Sequence, residues 1–175
     1  MIDRKNVFAY IDGANLHRGM VSLGWKLDYA RFRVWLKEKY GVERAYLFIG
    51  LIPKYTRLYT YLQECGFTLV FRETIFDGNG NPKGNCDADL VVQVMKDLYE
   101  SDLSKAILVS SDGDYVSLVK LLGEKNKLEI VLSPAIARKC SVLLKRTDAR
   151  IVYVNDKRKF LEVKNEKAPD EDETS

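Results

Sequence analysis

The segment Leu108–Val119, LVSSDGDYVSLV, places two carboxylates one glycine apart where an apolar run ends. An aspartate at such a position commonly caps the helix that follows, because its side chain accepts a hydrogen bond from a free backbone N–H. One helix needs one cap, so either Asp112 or Asp114 is left for another role. We expect Gly113 to let the backbone turn sharply and bring both side chains to one side.

Three further aspartates are placed in the same way. Asp12 follows the first apolar run, and Asp87 and Asp89 open a periodic segment after a Gly- and Asn-rich stretch. Parallel α/β sheets bind ligands beyond the carboxyl ends of their strands, and these aspartates converge there if the strands before Asp12 and Asp112 are neighbours. Two unit charges about 4 Å apart repel by on the order of 4 kcal/mol at an effective dielectric constant near 20. Because such a cluster needs protons or cations, and no His or Cys lies nearby in a ligand-like pattern, it favours Mg²⁺ or Mn²⁺.

Apolar patterns alternate between strand and helix along the chain. The predicted strands are Asn6–Ile11, Arg44–Leu51, Phe67–Arg72, Lys105–Ser110, Leu128–Leu132 and Ile151–Val154. The predicted helices are Ala14–Leu23, Tyr29–Tyr40, Tyr55–Cys65, Asp87–Tyr99, Tyr115–Leu122 and Ala137–Lys145, and Phe76–Asn85 is a predicted loop. Such alternation, with nearly continuous apolar strands, is typical of an α/β protein whose mainly parallel sheet is covered by helices on both faces.

The composition is that of an ordinary globular protein of 175 residues, with 46% hydrophobic and 30% charged residues. No apolar run reaches the roughly 20 residues that span a membrane. The N-terminal apolar run is a short strand and not a signal peptide, so we expect a cytoplasmic protein without membrane contact. Three widely spaced cysteines with no CxxC pattern predict reduced thiols.

Charge divides the chain into two parts. The net charge is +3, and the last twenty residues carry five Lys or Arg against seven Asp or Glu, so the preceding part is the more basic one. This balance is compatible with an anionic partner. We predict one domain over residues 1–155 and a charged C-terminal tail over residues 156–175, which we expect to be disordered.

Three segments resemble motifs of the NYN domain family and occur in that family's order. FAYIDGANLHRG contains its Asp-x-x-Asn opening, KGNCDADLVVQVM its Lys-Gly-x-x-Asp helix opening, and LVSSDGDYVSLV its Ser-Gly-Asp-Gly-Asp-Phe segment. Ser111 replaces the first Gly of the last motif and Tyr115 replaces its Phe. The matching segments span residues 7–132, and the bacterial LabA-like proteins are the subgroup that the chain resembles most.

The resemblance implies a PIN-like, three-layer α/β/α fold of the Rossmann-like type, with sheet order 3-2-1-4-5, and a metal-dependent ribonuclease site. The metal-binding carboxylates would be Asp12, Asp87, Asp112 and Asp114. Asn15 would orient Asp12 or a metal-bound water, and Ser110 and Ser111 would line the site. The chain departs from the pattern near Gln93, where many members carry a further acidic residue. Asp89 lies close in sequence but faces another direction.

Basic residues near the carboxylates are candidates for holding a polyanion, because each one that pairs with a phosphate releases counterions. They are Arg18 and His17 on the first helix, Lys54 and Arg57 after the second strand, Arg72 ending the third, and Lys83 in the loop. The segment KYTRLY, residues 54–59, interleaves cations with aromatics that can stack on single-stranded bases. Helical spacing places Tyr61 in the core, and leaves Tyr55 and Tyr59 open between core and surface.

The leading hypothesis is an Mg²⁺- or Mn²⁺-dependent endoribonuclease that cleaves single-stranded or structured RNA by metal-activated water attack. The rival is a non-catalytic RNA-binding or regulatory protein that keeps the fold, which Gln93 favours. An aspartyl-phosphate enzyme is disfavoured because Asp12-Gly13-Ala14 lacks a second Asp. A Toprim-like site would need Glu where Asp12 stands, and no GxGxxG follows any strand. The sequence indicates no particular oligomeric state.

Overall fold

Six parallel strands form the central sheet in the computed structural model, which describes residues 6–164. They are β1 (Asn6–Asp12), β2 (Val42–Leu51), β3 (Phe67–Glu73), β6 (Leu103–Val109), β7 (Leu128–Ser133) and β8 (Ile151–Tyr153). The sheet order is β3-β2-β1-β6-β7-β8, and every neighbouring pair is parallel. Since β6 and β7 are the fourth and fifth predicted strands, the order 3-2-1-4-5 is confirmed, and β8 extends it at one edge.

Helices cover both faces of this sheet. They are α1 (Gly13–Leu23), α2 (Tyr29–Tyr40), α3 (Thr56–Glu64), α4 (Asp87–Glu100), α5 (Val116–Glu124), α6 (Val142–Lys145) and α7 (Arg158–Leu161). Alternate side chains of β1 point to opposite faces, so Ala9 and Ile11 pack with buried residues of α1, α2 and α7. Phe8 and Tyr10 pack with α4, α5 and α6 on the other face. The predicted three-layer α/β/α architecture is therefore confirmed.

The predicted loop Phe76–Asn85 contains a small hairpin. Strands β4 (Ile75–Phe76) and β5 (Pro82–Lys83) pair antiparallel, and Asp77 holds the turn by accepting hydrogen bonds from the backbone N–H groups of Asn79 and Asn81. The hairpin places Lys83 and the segment that leads into α4 beside the carboxyl ends of the strands.

Two helix predictions are wrong in detail. The helix predicted over Ala137–Lys145 begins only at Val142, because Ser141 caps it by accepting a hydrogen bond from the N–H of Leu143. In α3, the prediction that Tyr61 lies in the core is also wrong, since 44% of its surface is exposed. Helix α3 packs through Tyr59 and Leu62, which are one turn apart.

The chain continues past the predicted domain boundary at residue 155 in ordered form. The expectation that residues 156–175 are disordered is wrong for residues 156–164, because α7 packs against α2 and Leu161 is fully buried. The N–H of Val163 also donates to the carbonyl of Lys26 at 3.0 Å. Residues 165–175 of the predicted tail lie outside the described residues. The boundary itself stays a prediction.

Within residues 6–164, the helices are too short or too polar to cross a lipid bilayer. All three cysteines of the chain fall in this range and are free thiols. Cys140 is buried and the other two are partly buried.

Candidate metal centre

The parallel pairing of β1 with β6 places two acidic segments side by side. Ile11 pairs with Val109, the last residue of β6, so Asp12 and the loop from Ser110 to Asp114 leave the sheet at one edge. The first turn of α4 reaches this edge from the hairpin. The predicted convergence of the carboxylates therefore follows from sheet order, which makes neighbours of strands about one hundred residues apart.

Three carboxylates form an acidic cluster at this edge. Asp87, Asp112 and Asp114 each offer an oxygen atom, and the three atoms lie within 4.8 Å of one another. Within residues 6–164, the ion pairs with N–O distances of 4.0 Å or less join Arg31 with Asp28, Arg72 with Asp89, and Arg158 with Glu162, so none of them involves the cluster. Three oxygen donors without an ion-pair partner suit a hard divalent cation such as Mg²⁺ or Mn²⁺.

Asp12 lies beside this cluster and not within it. Its side chain is 5% exposed, and its Oδ1 accepts a hydrogen bond from the N–H of Asn15 at 3.1 Å, which caps α1. Its Oδ2 lies 3.1 Å from the hydroxyl of Tyr115, and the same hydroxyl lies 2.9 Å from Oδ1 of Asp87. A phenol has one proton to donate. The two carboxylates therefore share one donor, and Tyr115 ties Asp12 to the acidic cluster.

Burial sets the protonation behaviour of these groups. Burial raises the pKa of Asp12, and the charge of Asp87 raises it further, while the hydrogen bonds from Asn15 and Tyr115 act in the opposite direction. Burial and the two carboxylates also raise the pKa of Tyr115, so its hydroxyl stays protonated and able to donate. Burial raises the pKa of Cys86 to about 11, so this thiol beside the cluster is not a thiolate at neutral pH.

Asn15, Ser110 and Ser111 build the loop that presents Asp112. The Oδ1 of Asn15 accepts hydrogen bonds from the N–H of Ser111 at 2.9 Å and from its hydroxyl at 3.2 Å. The buried hydroxyl of Ser110 accepts from the N–H of Asp112 at 3.1 Å. These contacts join the end of β6 to the start of α1. A role of either serine in substrate binding stays a prediction.

The backbone turns at Gly113 and brings Asp112 and Asp114 to one side, as expected, but close packing is what requires a glycine there. Its φ is not in the left-handed region, but a Cβ atom at this position would lie 2.4 Å from the Oγ of Ser141. The N–H of Ser141 also donates to the carbonyl of Ser111 at 3.2 Å. The carboxylate of Asp112 accepts from the N–H of Asp114 at 3.0 Å and starts the turn before α5. Asp112 is thus the predicted cap, and Asp114 is the carboxylate left over.

A cavity of about 220 Å³ opens over the acidic cluster. Arg18 and Lys83, both predicted to bind substrate, lie on its wall together with Arg72. Arg72 donates to the carbonyl of Asn85 and lies 3.8 Å from the carboxylate of Asp89, so it holds the segment before α4 in place. The structure therefore brings an acidic floor and a basic rim together.

Other predicted site residues lie away from this cavity. Lys54 and Arg57 are exposed near the start of α3 and are not part of the cavity wall. The amide of Gln93 donates to Asp97 at 3.1 Å and lies 3.4 Å from the hydroxyl of Tyr46, so it belongs to a polar network under α4. Asp89 is paired with Arg72 and is not part of the acidic cluster.

Sequence reasoning missed the hydroxyl of Tyr115. A tyrosine at the start of an apolar helix is usually interpreted as a core residue, and the ring of Tyr115 is indeed buried. The signal was its place in LVSSDGDYVSLV, where the motif that the segment resembles carries Phe. The added oxygen is the atom that contacts both Asp12 and Asp87.

Comparisons with known proteins identify a domain and a fold. The sequence model of the NYN domain matches residues 6–155. A crystal structure of a protein of unknown function from Vibrio parahaemolyticus matches with a TM-score of 0.71 and 24% sequence identity, over 92% of this chain and 99% of that one. This likeness shows the fold alone. No curated protein matches the chain.

Proposed function

Because the chain belongs to the NYN domain family, a PIN-like family linked to ribonuclease activity, we propose that it is a metal-dependent endoribonuclease. The substrate is RNA, and the cation is Mg²⁺ or Mn²⁺. Placement in the LabA-like subgroup, which the sequence resembles most, is part of this proposal. A cytoplasmic location is part of this proposal.

The acidic cluster is the observation that carries the proposal. Three carboxylates lie within 4.8 Å of one another at the carboxyl edge of the sheet, and no ion pair of residues 6–164 neutralises them. Mutual repulsion of this kind is tolerated when a cation is bound. A cation held by carboxylates alone keeps free coordination positions for waters and phosphate oxygens.

Each residue has a distinct part in the proposed reaction. Asp87, Asp112 and Asp114 would hold the cation, which would lower the pKa of an attacking water and stabilise negative charge on the leaving oxygen. Arg18 and Lys83 on the cavity wall pair with phosphate oxygens and position the strand. Asp12 acts beside the cluster, and its carboxylate is oriented by Asn15 and Tyr115.

Cleavage of labelled RNAs by the purified protein in Mg²⁺, Mn²⁺ or EDTA tests this function. Asp112→Asn and Asp12→Asn are compared with Asp102→Asn, an exposed aspartate at the opposite edge of the sheet. We expect cleavage that requires the cation, falls at least 100-fold in both site variants and is unchanged in the control. Equal cleavage by Asp112→Asn and the parent protein would refute the assignment.

A non-catalytic RNA-binding or regulatory protein is the second candidate. Gln93 favours it, because a neutral amide stands where many family members carry an acid and its contacts are directed to Tyr46 and Asp97. In that case Mg²⁺ or Mn²⁺ raises the melting temperature of the parent protein but not of Asp112→Asn, and no RNA is cleaved under any condition.

A further inference from the structure

An apolar cleft adjoins the candidate metal centre. It has a volume of about 410 Å³ and lies between α1, the end of β2 and α3. Its apolar wall is formed mainly by Leu47, Ile49, Ile52, Tyr55, Leu58 and Leu62. We refer to it as the Tyr55 cleft. Clefts of roughly 300–1,000 Å³ with mostly apolar walls are the usual size and character of small-ligand sites.

The Tyr55 cleft and the acidic cavity are neighbours. Ala14, Ile49 and Gly50 line both, so the two cavities share a wall. This adjacency would let a polymer whose phosphate lies over the acidic cluster extend its neighbouring unit toward the Tyr55 cleft. The cleft therefore lies next to the proposed reaction site.

Exposed apolar side chains and cations alternate at the mouth of the cleft. Tyr55 is 43% exposed and Leu58 is 45% exposed, although α3 has a well-packed buried face. The ammonium of Lys54 lies 5.0 Å from the centre of the Tyr55 ring. Arg57 is exposed in the first turn of α3. Aromatic and apolar surfaces flanked by cations are what single-stranded nucleic acids bind, since bases stack while phosphates pair.

Most of the cleft wall is apolar, which favours stacking of a base, and its polar lining groups include the His17 side chain and the hydroxyls of Tyr29 and Tyr59. The hydroxyl of Tyr59 donates to the carbonyl of Gly50 at 3.1 Å and accepts from the N–H of Ile52 at 2.9 Å. These bonds fix the wall and leave the hydroxyl committed to the protein. A base held chiefly by apolar contact is recognised by its flat faces, which all four bases possess.

We propose that the Tyr55 cleft binds the base of the nucleotide next to the phosphate held at the metal centre, and that the substrate is therefore single-stranded RNA. The inference rests on the proposed function. A base within a duplex is stacked and paired, so it does not enter a cleft of this kind without being extruded. The cleft thus selects unpaired RNA.

Binding of fluorescein-labelled single-stranded RNA in EDTA, followed by anisotropy, tests the inference without cleavage. The variants Tyr55→Ala and Leu58→Ala are compared with Tyr61→Ala. Tyr61 lies on the same helix, is 44% exposed and does not line the cleft. We expect the dissociation constant to rise by about 5- to 100-fold in the first two variants, which is the effect of losing one stacked base. The Tyr61→Ala variant should stay within about twofold of the parent, since it removes no contact in the cleft.

An abasic series locates the contact on the strand. Replacing single nucleotides of the RNA by abasic ones should weaken binding to the parent protein at one position and have no effect there in the Tyr55→Ala variant. The same sequence presented as a duplex should bind the parent and Tyr55→Ala equally. Melting temperatures of all variants test whether each one is folded. We expect the cleft variants to fold, because Tyr55 and Leu58 are both partly exposed.

The outcomes separate this inference from the proposed function. If the parent protein cleaves RNA and Tyr55→Ala and Leu58→Ala bind and cleave like the parent, the cleft assignment is overturned while the ribonuclease stands. If no RNA is cleaved but base-dependent binding is lost in both variants, the cleft assignment stands without the ribonuclease. A parent dimer that both variants convert to monomers, with no change in RNA binding, overturns the inference and assigns the cleft to a second copy of the chain.

Discussion

A single hydroxyl connects two aspartates from distant parts of the chain at the candidate metal centre. Tyr115 places its oxygen 3.1 Å from Asp12 and 2.9 Å from Asp87. A carboxylate that is buried and negatively charged depends on such donors, because removing one leaves it without compensation for lost water. At the scale of the residue, Tyr115 is therefore a positioning group for both aspartates.

The variant Tyr115→Phe tests this role. We expect its free energy of unfolding to fall by about 1–3 kcal/mol, the usual effect of leaving a buried carboxylate short of one hydrogen bond. Chemical unfolding in EDTA measures the change, and Tyr99→Phe, at a position that is 72% exposed, is the matched control. Equal stability of Tyr115→Phe and the parent protein would show that the hydroxyl supports neither aspartate.

Because the pKa of Asp12 is raised in the folded protein, ionisation of Asp12 lowers the free energy of unfolding, and the effect depends on pH. An unfolded aspartate titrates near pH 3.9, so as the pH rises above that value the unfolded chain loses the proton first, and the folded state loses stability until its own raised pKa is passed. We expect Asp12→Asn to melt above the parent protein at pH 7 in EDTA, because the variant has no carboxylate that must ionise where it is buried. The difference should disappear below about pH 4.

Thermal melting across pH 3–8 measures this difference, with Asp102→Asn as the exposed control. A lower melting temperature for Asp12→Asn at neutral pH would mean that the hydrogen bonds from Asn15 and Tyr115 outweigh the burial of the charge.

The elements that carry the site were largely predictable because their patterns are local. Continuous apolar runs predicted β1 and β6, and an aspartate follows each run. The convergence of the carboxylates required in addition the sheet order that the family resemblance implied. The helix predicted over Ala137–Lys145 failed because Ser141 offers a cap in the middle of a periodic segment. Periodicity alone does not report where a cap interrupts it.

Contacts between distant segments were not predictable in the same way. The partners of Tyr115 lie 103 and 28 residues away, and the atom that makes Gly113 necessary belongs to Ser141. No spacing rule relates such positions, since they meet only after the sheet and its helices have formed. The side-chain roles at the site therefore had to be read from the fold.

Ser141, the cap of α6, packs against Gly113 in the loop after β6, so we expect the effects of substitutions at these two positions on stability to be coupled. A Cβ at residue 113 would lie 2.4 Å from the Oγ of Ser141, so we expect Gly113→Ala to destabilise the protein by about 1–3 kcal/mol and to weaken metal binding. Ser141→Ala alone should cost about 1 kcal/mol as a lost cap. The double variant should be less destabilised than the sum of the two, because the clashing oxygen is gone.

Chemical unfolding of both single variants and the double variant measures this coupling. Gly123→Ala is a suitable control, because a Cβ at that position meets no atom within 4 Å. Strict additivity of the two changes would contradict the proposed contact.

At the scale of the whole molecule, ordered structure continues past the end of the family match. The NYN match stops at residue 155, but α7 extends the hydrophobic core through Leu161, which is fully buried. The carbonyl of Leu161 also accepts a hydrogen bond from the N–H of Asp28 at 2.8 Å. The segment after residue 155 thus closes the face formed by α1 and α2.

Two truncations test this extension. A chain ending at residue 155 should lose about 2–5 kcal/mol of stability, the usual cost of removing one buried leucine and its contacts. A chain ending at residue 164 keeps every described contact and should melt like the full chain. Equal melting of all three would place the true boundary at residue 155, as predicted from the sequence.

The position of β1 in the sheet also has a consequence for synthesis. The strand made first lies between β2 and β6, and its pairing with β6 requires Leu103 to Val109. At about 5–20 residues per second, several seconds pass between translation of Asp12 and of Asp112. During this interval the nascent chain lacks an assembled acidic cluster while it is attached to a ribosome and its messenger RNA. The acidic cluster therefore assembles only after most of the domain has been translated.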